Sequence, residues 1–266
     1  MWLRRKPFKQ HSLFFILPVC ILFSGLISVH EAAAQSRTEE AKDRMDGKSG
    51  TVSNTLSLLY HVGVEPLQFF FYFKPAYHNE PRLSYNPYPY QHTQSQGIRN
   101  FEEAGRRGVW DAQATFSLPQ TSVAMSQLSA RIKRNQRYWG FILGYEYMKE
   151  EKAPFGIHQG EYLAERKFRF MPNGDGGLQF GMRSIHMDGD AYVGPSLGVQ
   201  VEVFPFRPFS LGYMGNATHT KHADVINHEL HLGIHIHSSR FFFRQRWLNI
   251  GGIHFRTLTA GAGLYF

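Results

Sequence analysis

The chain has 266 residues, 42% hydrophobic and 19% charged, proportions that fit neither a disordered segment nor a polytopic helical membrane protein. Aromatics reach 15%, with 23 Phe and 13 Tyr, and 25 Gly accompany them, a mixture that favours strands and turns over long helices. The formal net charge is +8, a surplus too mild to argue for nucleic acid once part of it is assigned to a leader.

Residues 1–34 have the layout of a secretory signal peptide. Arg4, Arg5, Lys6 and Lys9 supply a basic start, an apolar run extends from Ser12 to Val29, and Ala32-Ala33-Ala34 follows. Small side chains at Ala32 and Ala34 predict cleavage before Gln35. The alternative is an uncleaved anchor, but Pro18, Ser24 and Gly25 interrupt the apolar run. Cleavage leaves 232 residues and, with four basic residues and Glu31 gone, lowers the net charge from +8 to +5. The one cysteine, Cys20, leaves as well, so the expected mature chain has no thiol, disulfide or thiolate metal site.

Residues 35–107 read as an irregular N-terminal extension. Ser36 to Lys48 is polar and suggests a frayed helix; Leu56 to Phe73 is apolar and aromatic. The Tyr85-Asn86-Pro87-Tyr88-Pro89-Tyr90 segment holds two prolines that deny ladder hydrogen bonds, so it reads as loop or extended chain. This extension has three alternative roles, a plug, a periplasmic tether or a strand cover. Leu56–Tyr77 is also the candidate for two further strands.

From Gly108 to Phe266 the texture changes to ten segments with a period of two, separated by turn chemistry. In Ala191–Val203 the odd positions are apolar apart from Pro195, while the even ones include Gly194, Ser196, Gln200 and Glu202. Trp110–Leu118, Trp139–Tyr147, His228–Ile236 and Leu258–Phe266 alternate in the same way. Three features favour a membrane barrel over a soluble sandwich. The strands run about 10–13 residues, near the length of a tilted transmembrane strand. Aromatics (Trp110, Trp139, Tyr145, Tyr147, Tyr162, Tyr213, Phe241, Trp247) lie toward strand ends, as a girdle requires. The polar face carries Arg131, Glu146, Lys167, Arg183, Glu202, Glu229, Arg244 and Arg246, charges that a sandwich core would not tolerate but a small lumen can pair. The predicted fold is therefore an all-β, antiparallel, up-and-down transmembrane β-barrel of about ten strands over 108–266, with twelve as the alternative.

Short turns are expected at Arg134–Arg137, Pro172–Gly176, Pro205–Pro208 and Ser238–Arg240. Longer connections are expected at the other end, Glu150 to Gly160 being the longest. The Gly174/Gly176/Gly177 cluster reads as turn, since no strand–loop–helix context supports a phosphate loop.

The ending Thr257-Leu258-Thr259-Ala260-Gly261-Ala262-Gly263-Leu264-Tyr265-Phe266 resembles the terminal strand of Gram-negative outer-membrane β-barrel proteins, in which a final Phe and alternating apolar residues are read as an assembly signal. Phe266, Leu264 and Leu258 fit it; Ala262 and Ala260 are smaller than usual. The resemblance implies insertion into the outer membrane by the barrel-assembly machinery, with periplasmic chaperones, outer-membrane lipid and lipopolysaccharide as partners. It carries no substrate or catalytic residue.

Six of the 14 histidines lie between His219 and His237. His231, His235 and His237, with Glu229, are expected on one inward face, where a metal would need a neighbouring strand to complete its shell. The plainer reading is a polar lumen of neutral imidazoles bonded to Glu229, Arg244 or Arg246. His222 and Asp224, with His219 and with Asp188 and Asp190 across the rim, are the candidate acid–base group of a hydrolase or lipid-modifying enzyme. The favoured expectation is a structural, adhesive or surface-binding barrel without catalysis, cofactor or nucleic-acid partner. A rim enzyme or a narrow channel is the alternative.

Overall fold

The structure, a computed structural model, describes residues 37–47, 84–85, 99–100, 108–117, 125–136, 139–151, 153–171 and 173–266. Ala32, Ala34, Leu118 and the Leu56–Tyr77 segment lie outside the described residues, as do most of the Tyr/Pro segment and its surroundings. One short helix, α1 (Arg37–Met45), comes first, followed by a two-residue pair, β1 (Ser84–Tyr85) with β2 (Arg99–Asn100). Ten long strands then follow: β3 (Gly108–Ser117), β4 (Met125–Gln136), β5 (Trp139–Glu150), β6 (Ile157–Met171), β7 (Gly174–Met187), β8 (Asp190–Phe206), β9 (Phe209–His219), β10 (Asp224–Ile236), β11 (Ser239–Ile250) and β12 (Ile253–Tyr265).

Each strand pairs antiparallel with its sequence neighbours, and β12 pairs with β3, so the ten close into an up-and-down barrel. At the seam Phe266 and Trp110 exchange two backbone hydrogen bonds of 2.8 and 3.0 Å. Closure leaves no exposed edge, which a sheet in hydrocarbon requires. Among the described residues no helix is long and apolar enough to cross a membrane, so any crossing is made by strands.

The period-two pattern sorts the side chains. Outward positions hold Trp110, Phe116, Leu128, Ile132, Phe141, Leu143, Phe180, Leu197, Phe241, Phe243 and Leu264, and Phe116, Leu128 and Tyr162 are 57–60% exposed. A continuous apolar surface on this scale far exceeds the patches that soluble monomers expose, and it faces lipid. On β5 it runs from Trp139 to Tyr147, about 27 Å along the strand at ~3.4 Å per residue. Inward positions hold the charges: Glu161, Glu165, Glu202, Glu229, Arg183 and Arg246 are all buried.

The strands differ from expectation in detail. They span 10 to 17 residues, the longest being β8, which continues to two-residue turns at both ends. Arg134, Asn135 and Gln136 belong to β4 rather than to a turn. Gly174, Gly176 and Gly177 lie in β7, not in a turn. Here glycine makes room for neighbours: a Cβ on Gly176 would run into the Phe168 ring, and one on Gly177 would sit 2.5 Å from the Glu165 carboxyl carbon. Pro195 and Pro205 are accommodated where the β8–β9 ladder gives way. Pairing begins at Ser196, and the register shifts between Val203 and Phe206. The expected contrast between short and long connections is weak, since Asp188-Gly189 and Gly251-Gly252 make two-residue turns at the end bearing the longer Glu150–Ile157 connection. This end is called the loop end below, and the opposite one the turn end.

The aromatic girdle is also incomplete. Trp110, Trp139 and Phe241 gather at the turn end, but Tyr145, Tyr162 and Tyr213 lie nearer mid-strand. The Tyr145 and Tyr213 hydroxyls meet Nδ1 of His158 and His228 at 2.7 and 2.8 Å, so these two polar tips are satisfied without reaching water.

Candidate functional site

The lumen is filled by side chains that bridge it from wall to wall. In the order of strands around the barrel, β11 stands opposite β6, and β4 opposite β9. Arg246 on β11 is ion-paired with Glu146 on β5, and it donates to Gln159 on β6 at 3.2 Å and to Asn227 at 2.5 Å. Arg131 on β4 lies 2.5 Å from Glu161 on β6 and extends toward Met214 on β9. Glu161 receives a second guanidinium, Arg183 at 2.9 Å, which also donates to Asn216 at 2.7 Å. One carboxylate between two guanidiniums, each tied to a further wall, is a charge-paired buried network.

Nearer the turn end, Lys133 lies 2.8 Å from Glu165 and 3.2 Å from the Gln200 amide oxygen, while Lys167 lies 3.7 Å from Glu165 and also meets Asn135. Glu229 pairs with Arg244 at 3.1 Å, and Arg244 donates to Gln113. Between these pairs the free space is small. Cavities of about 40 and about 20 Å³, the larger lined by Lys133, Glu165, Lys167, Glu202 and Arg240 among others, have room for one to a few waters.

Glu202 is the hub for the expected metal histidines. It accepts hydrogen bonds from Ser210 at 2.8 Å and Arg240 at 3.2 Å; Nε2 of His231 lies 3.6 Å and Nε2 of His235 3.9 Å from the same oxygen. His235 also meets the Ser210 hydroxyl at 2.8 Å. Glu229 points instead to Arg244 and Asn227, and His237 lies in the β10–β11 turn with φ 54° rather than on the inward face. The four residues proposed as ligands therefore do not converge, and among the described residues no group of three such side chains could hold a metal. Sequence spacing placed His231 and His235 on one face correctly. Their partner on β8, Glu202, follows from register alone.

The loop end of the lumen is apolar and capped. Met148, Ile157, Ile185, Met187, Val225, Leu248, Ile250, Ile253 and Phe255 form one cluster with Ala41 and Met45 of α1. Helical spacing puts Ala41 and Met45 on one face, with Thr38 a turn earlier, and all three are buried. Polar groups fix the helix around that contact. The Thr38 hydroxyl donates to Glu150 at 3.2 Å, Arg37 donates to the His254 carbonyl, Tyr192 donates to Asp46, and Lys42 lies 3.3 Å from Asp188 and 3.2 Å from Asp190. The flanking carboxylates, Asp190 first, hold the Lys42 ammonium above its ordinary pKa. The sequence offered a short polar helix here, but no local signal tied Lys42 to carboxylates on the β7–β8 hairpin.

The proposed acid–base group is only partly assembled. Asp224 bonds Nδ1 of His219 at 2.6 Å, not His222. His222 lies against Gly47 at the end of α1, and Asp188 and Asp190 are engaged by Lys42. A carboxylate on one imidazole nitrogen orients the other, half of a base for hydrolysis. The adjacent Thr220 hydroxyl bonds Ala223 and Met45 instead of completing a nucleophile–base pair. The assembly residues Leu258, Leu264 and Phe266 all face outward on or just beyond β12; Leu264 and Phe266 are exposed.

No family model matches this chain, and no curated protein matches it in sequence. Among solved structures it is similar to the KdgM porin in complex with disordered oligogalacturonate, at 8% identity and TM-score 0.35, over 59% of this chain and 99% of that one. It is also similar to a bacterial polysaccharide outer membrane secretin, at 10% identity and TM-score 0.33, over 59% of this chain and 64% of that one.

Proposed function

We propose that this chain is an exported outer-membrane barrel of structural or surface-binding type, with its turn end toward the periplasm and its capped end outward. Insertion would follow from a cleaved leader and from Leu258, Leu264 and Phe266 acting on the barrel-assembly machinery, with lipopolysaccharide and phospholipid as surroundings. The observation that carries the non-transporting part of this reading is Arg246, which crosses the lumen from β11 to Glu146 and Gln159 on the far wall. With Arg131, Glu161 and Arg183 beneath it and α1 above it, this side chain borders a gap of about 20 Å³ among the described residues.

The test combines fractionation with electrophysiology. The protein is expected in the outer-membrane fraction, with an unboiled gel band distinct from the boiled one, and to give no discrete conductance steps in planar bilayers. A second reading, a narrow channel, draws on the charged lining and on the cavity beside Lys133 and Arg240. Discrete steps that change in Arg244→Gln or Arg246→Gln would establish it and overturn the first.

A further inference from the structure

The lumen holds a series of cavities that share their walls. Nearest the turn end lies the one of about 40 Å³, lined by Asp111, Lys133, Gln200 and Arg240 among others. Lys133, Gln200 and Arg240 also line a second, of about 20 Å³. Arg131 and Arg244 of that second cavity line a third, of about 20 Å³, beside Glu146 and Gln159. The series thus climbs from the turn end to the level of Arg246, whose partners are Glu146 and Gln159.

Each cavity is bordered by a buried residue with a polar atom that no protein group among the described residues satisfies. These atoms are Oδ1 of Asp111 and Nε of Arg240 in the first, Nε2 of His231 in the second and Nε2 of Gln159 in the third. All four residues are less than a tenth exposed. A buried donor or acceptor left unmade is costly, and water, which both donates and accepts, suits polar gaps of this size. Ions do not suit them. Arg131 and Arg183 stand on Glu161, and Lys133 on Glu165, so an ion of either sign meets a like charge with no room to keep its hydration shell.

The polar series stops at one apolar layer. Nη1 of Arg246 reaches Sδ of Met148 at 3.7 Å, and Met148 belongs to the cluster covered by Ala41 and Met45 of α1. A closed apolar constriction excludes water by dewetting. The cover is lightly fixed. It is a helix of nine residues, too short to persist alone in water. Its Lys42 pairs with Asp188 and Asp190, whose side chains are 57% and 55% exposed, and ion pairs so exposed contribute little. With the helix away, the apolar ring opens directly to bulk water.

We propose that the lumen is a water pathway selective against ions, and that α1 seated on the apolar layer is its gate, closed in this structure. The proposal rests on the membrane-spanning reading and adds to it a permeant and a gate.

The test measures osmotic shrinkage of vesicles holding the full chain, by stopped-flow light scattering after a sucrose jump. The native chain should shrink at the rate of protein-free vesicles. Ala41→Glu/Met45→Glu, which places carboxylates in the apolar layer, should shrink faster, and Met45→Glu alone, a milder change, should move the same way. Adding His231→Phe to the double variant fills the second cavity and should return the rate toward native. Variants that fold but shrink no faster than the native chain overturn the pathway. A native chain that already shrinks fast overturns the gate. A fast rate that survives His231→Phe overturns the route through these cavities. Discrete ion conductance in the double variant overturns the selectivity. Flotation and the unboiled gel band are read on the same vesicles, and a native chain that fails to float overturns the membrane reading itself.

Discussion

Nζ of Lys42, on the N-terminal helix, lies 3.2 Å from Oδ2 of Asp190 at the start of β8, and this contact joins the cap to the barrel rim. Asp188 stands 3.3 Å from the same ammonium, so one cation serves both ends of the β7–β8 turn. Beneath it the contact is apolar, Ala41 and Met45 resting on Ile185, Met187, Ile250 and their neighbours. Burial of those side chains holds the helix, and the ion pairs fix its azimuth.

The cap should therefore respond to alkali. The carboxylates raise the Lys42 pKa above its ordinary 10.5, so the contribution of this pair is fully present at neutral pH and is lost as pH rises through the raised value. A spin label at Glu40→Cys, in a Cys20→Ser background, should show the helix gaining mobility in that alkaline range and in high salt. In Lys42→Met the label is expected to be more mobile at neutral pH and to lose the alkaline step. An alkaline step of undiminished size in Lys42→Met would assign it to another group.

Glu161 is the centre of the widest lumen network, and its charge is shared by Arg131 and Arg183. Glu161→Gln keeps the shape and removes the anion, leaving two buried guanidiniums without their counter-charge. Breaking a buried pair from one side costs about 3 kcal/mol. Urea unfolding in lipid vesicles should show that loss as a lower midpoint with an unchanged slope. The same variant gives the channel reading its best chance, since freed arginines would line any path that opens.

How much of this was legible in the residues varies by level. The period of two over Ala191–Val203 and its counterparts specifies which side chains face lipid, because strand geometry imposes that alternation locally. Which inward charges meet is a matter of register between distant strands: nothing near Glu202 announces His231, and nothing near Arg246 announces Glu146. Turn chemistry misled at Gly174, Gly176 and Gly177. At Gly176 and Gly177 glycine answers the bulk of Phe168 and Glu165 on the neighbouring β6 and not a bend in its own strand. His237 was misplaced by one step, since β10 ends at Ile236 and the alternation stops with it.

Glu202 offers a graded comparison with the histidines once proposed as ligands. Glu202→Gln weakens contacts to Arg240, Ser210, His231 and His235 together, and should cost about 3 kcal/mol by the same one-sided loss. His231→Gln removes a single contact and should cost about 1 kcal/mol. Thermal melts with and without zinc should coincide for the native chain and both variants, because Glu229 and His237 point away from the Glu202 hub. A zinc-dependent rise in the melting temperature that His231→Gln abolishes would restore the metal reading.

Phe266 allows assembly to be separated from stability. Its backbone closes the seam against Trp110, while its ring is 57% exposed on the outer surface. Phe266→Ala keeps both backbone hydrogen bonds and removes only the outward ring, so refolding from urea into vesicles should lose no more than the transfer of that ring into lipid, about 2 kcal/mol. If the ring is what the assembly machinery reads, the same variant in cells should lose most of its outer-membrane, heat-modifiable form while accumulating unfolded chain in the periplasm. Equal losses in both experiments would make Phe266 a stability residue. Loss in neither would assign recognition to Leu258 and Leu264, or to a signal elsewhere in the chain.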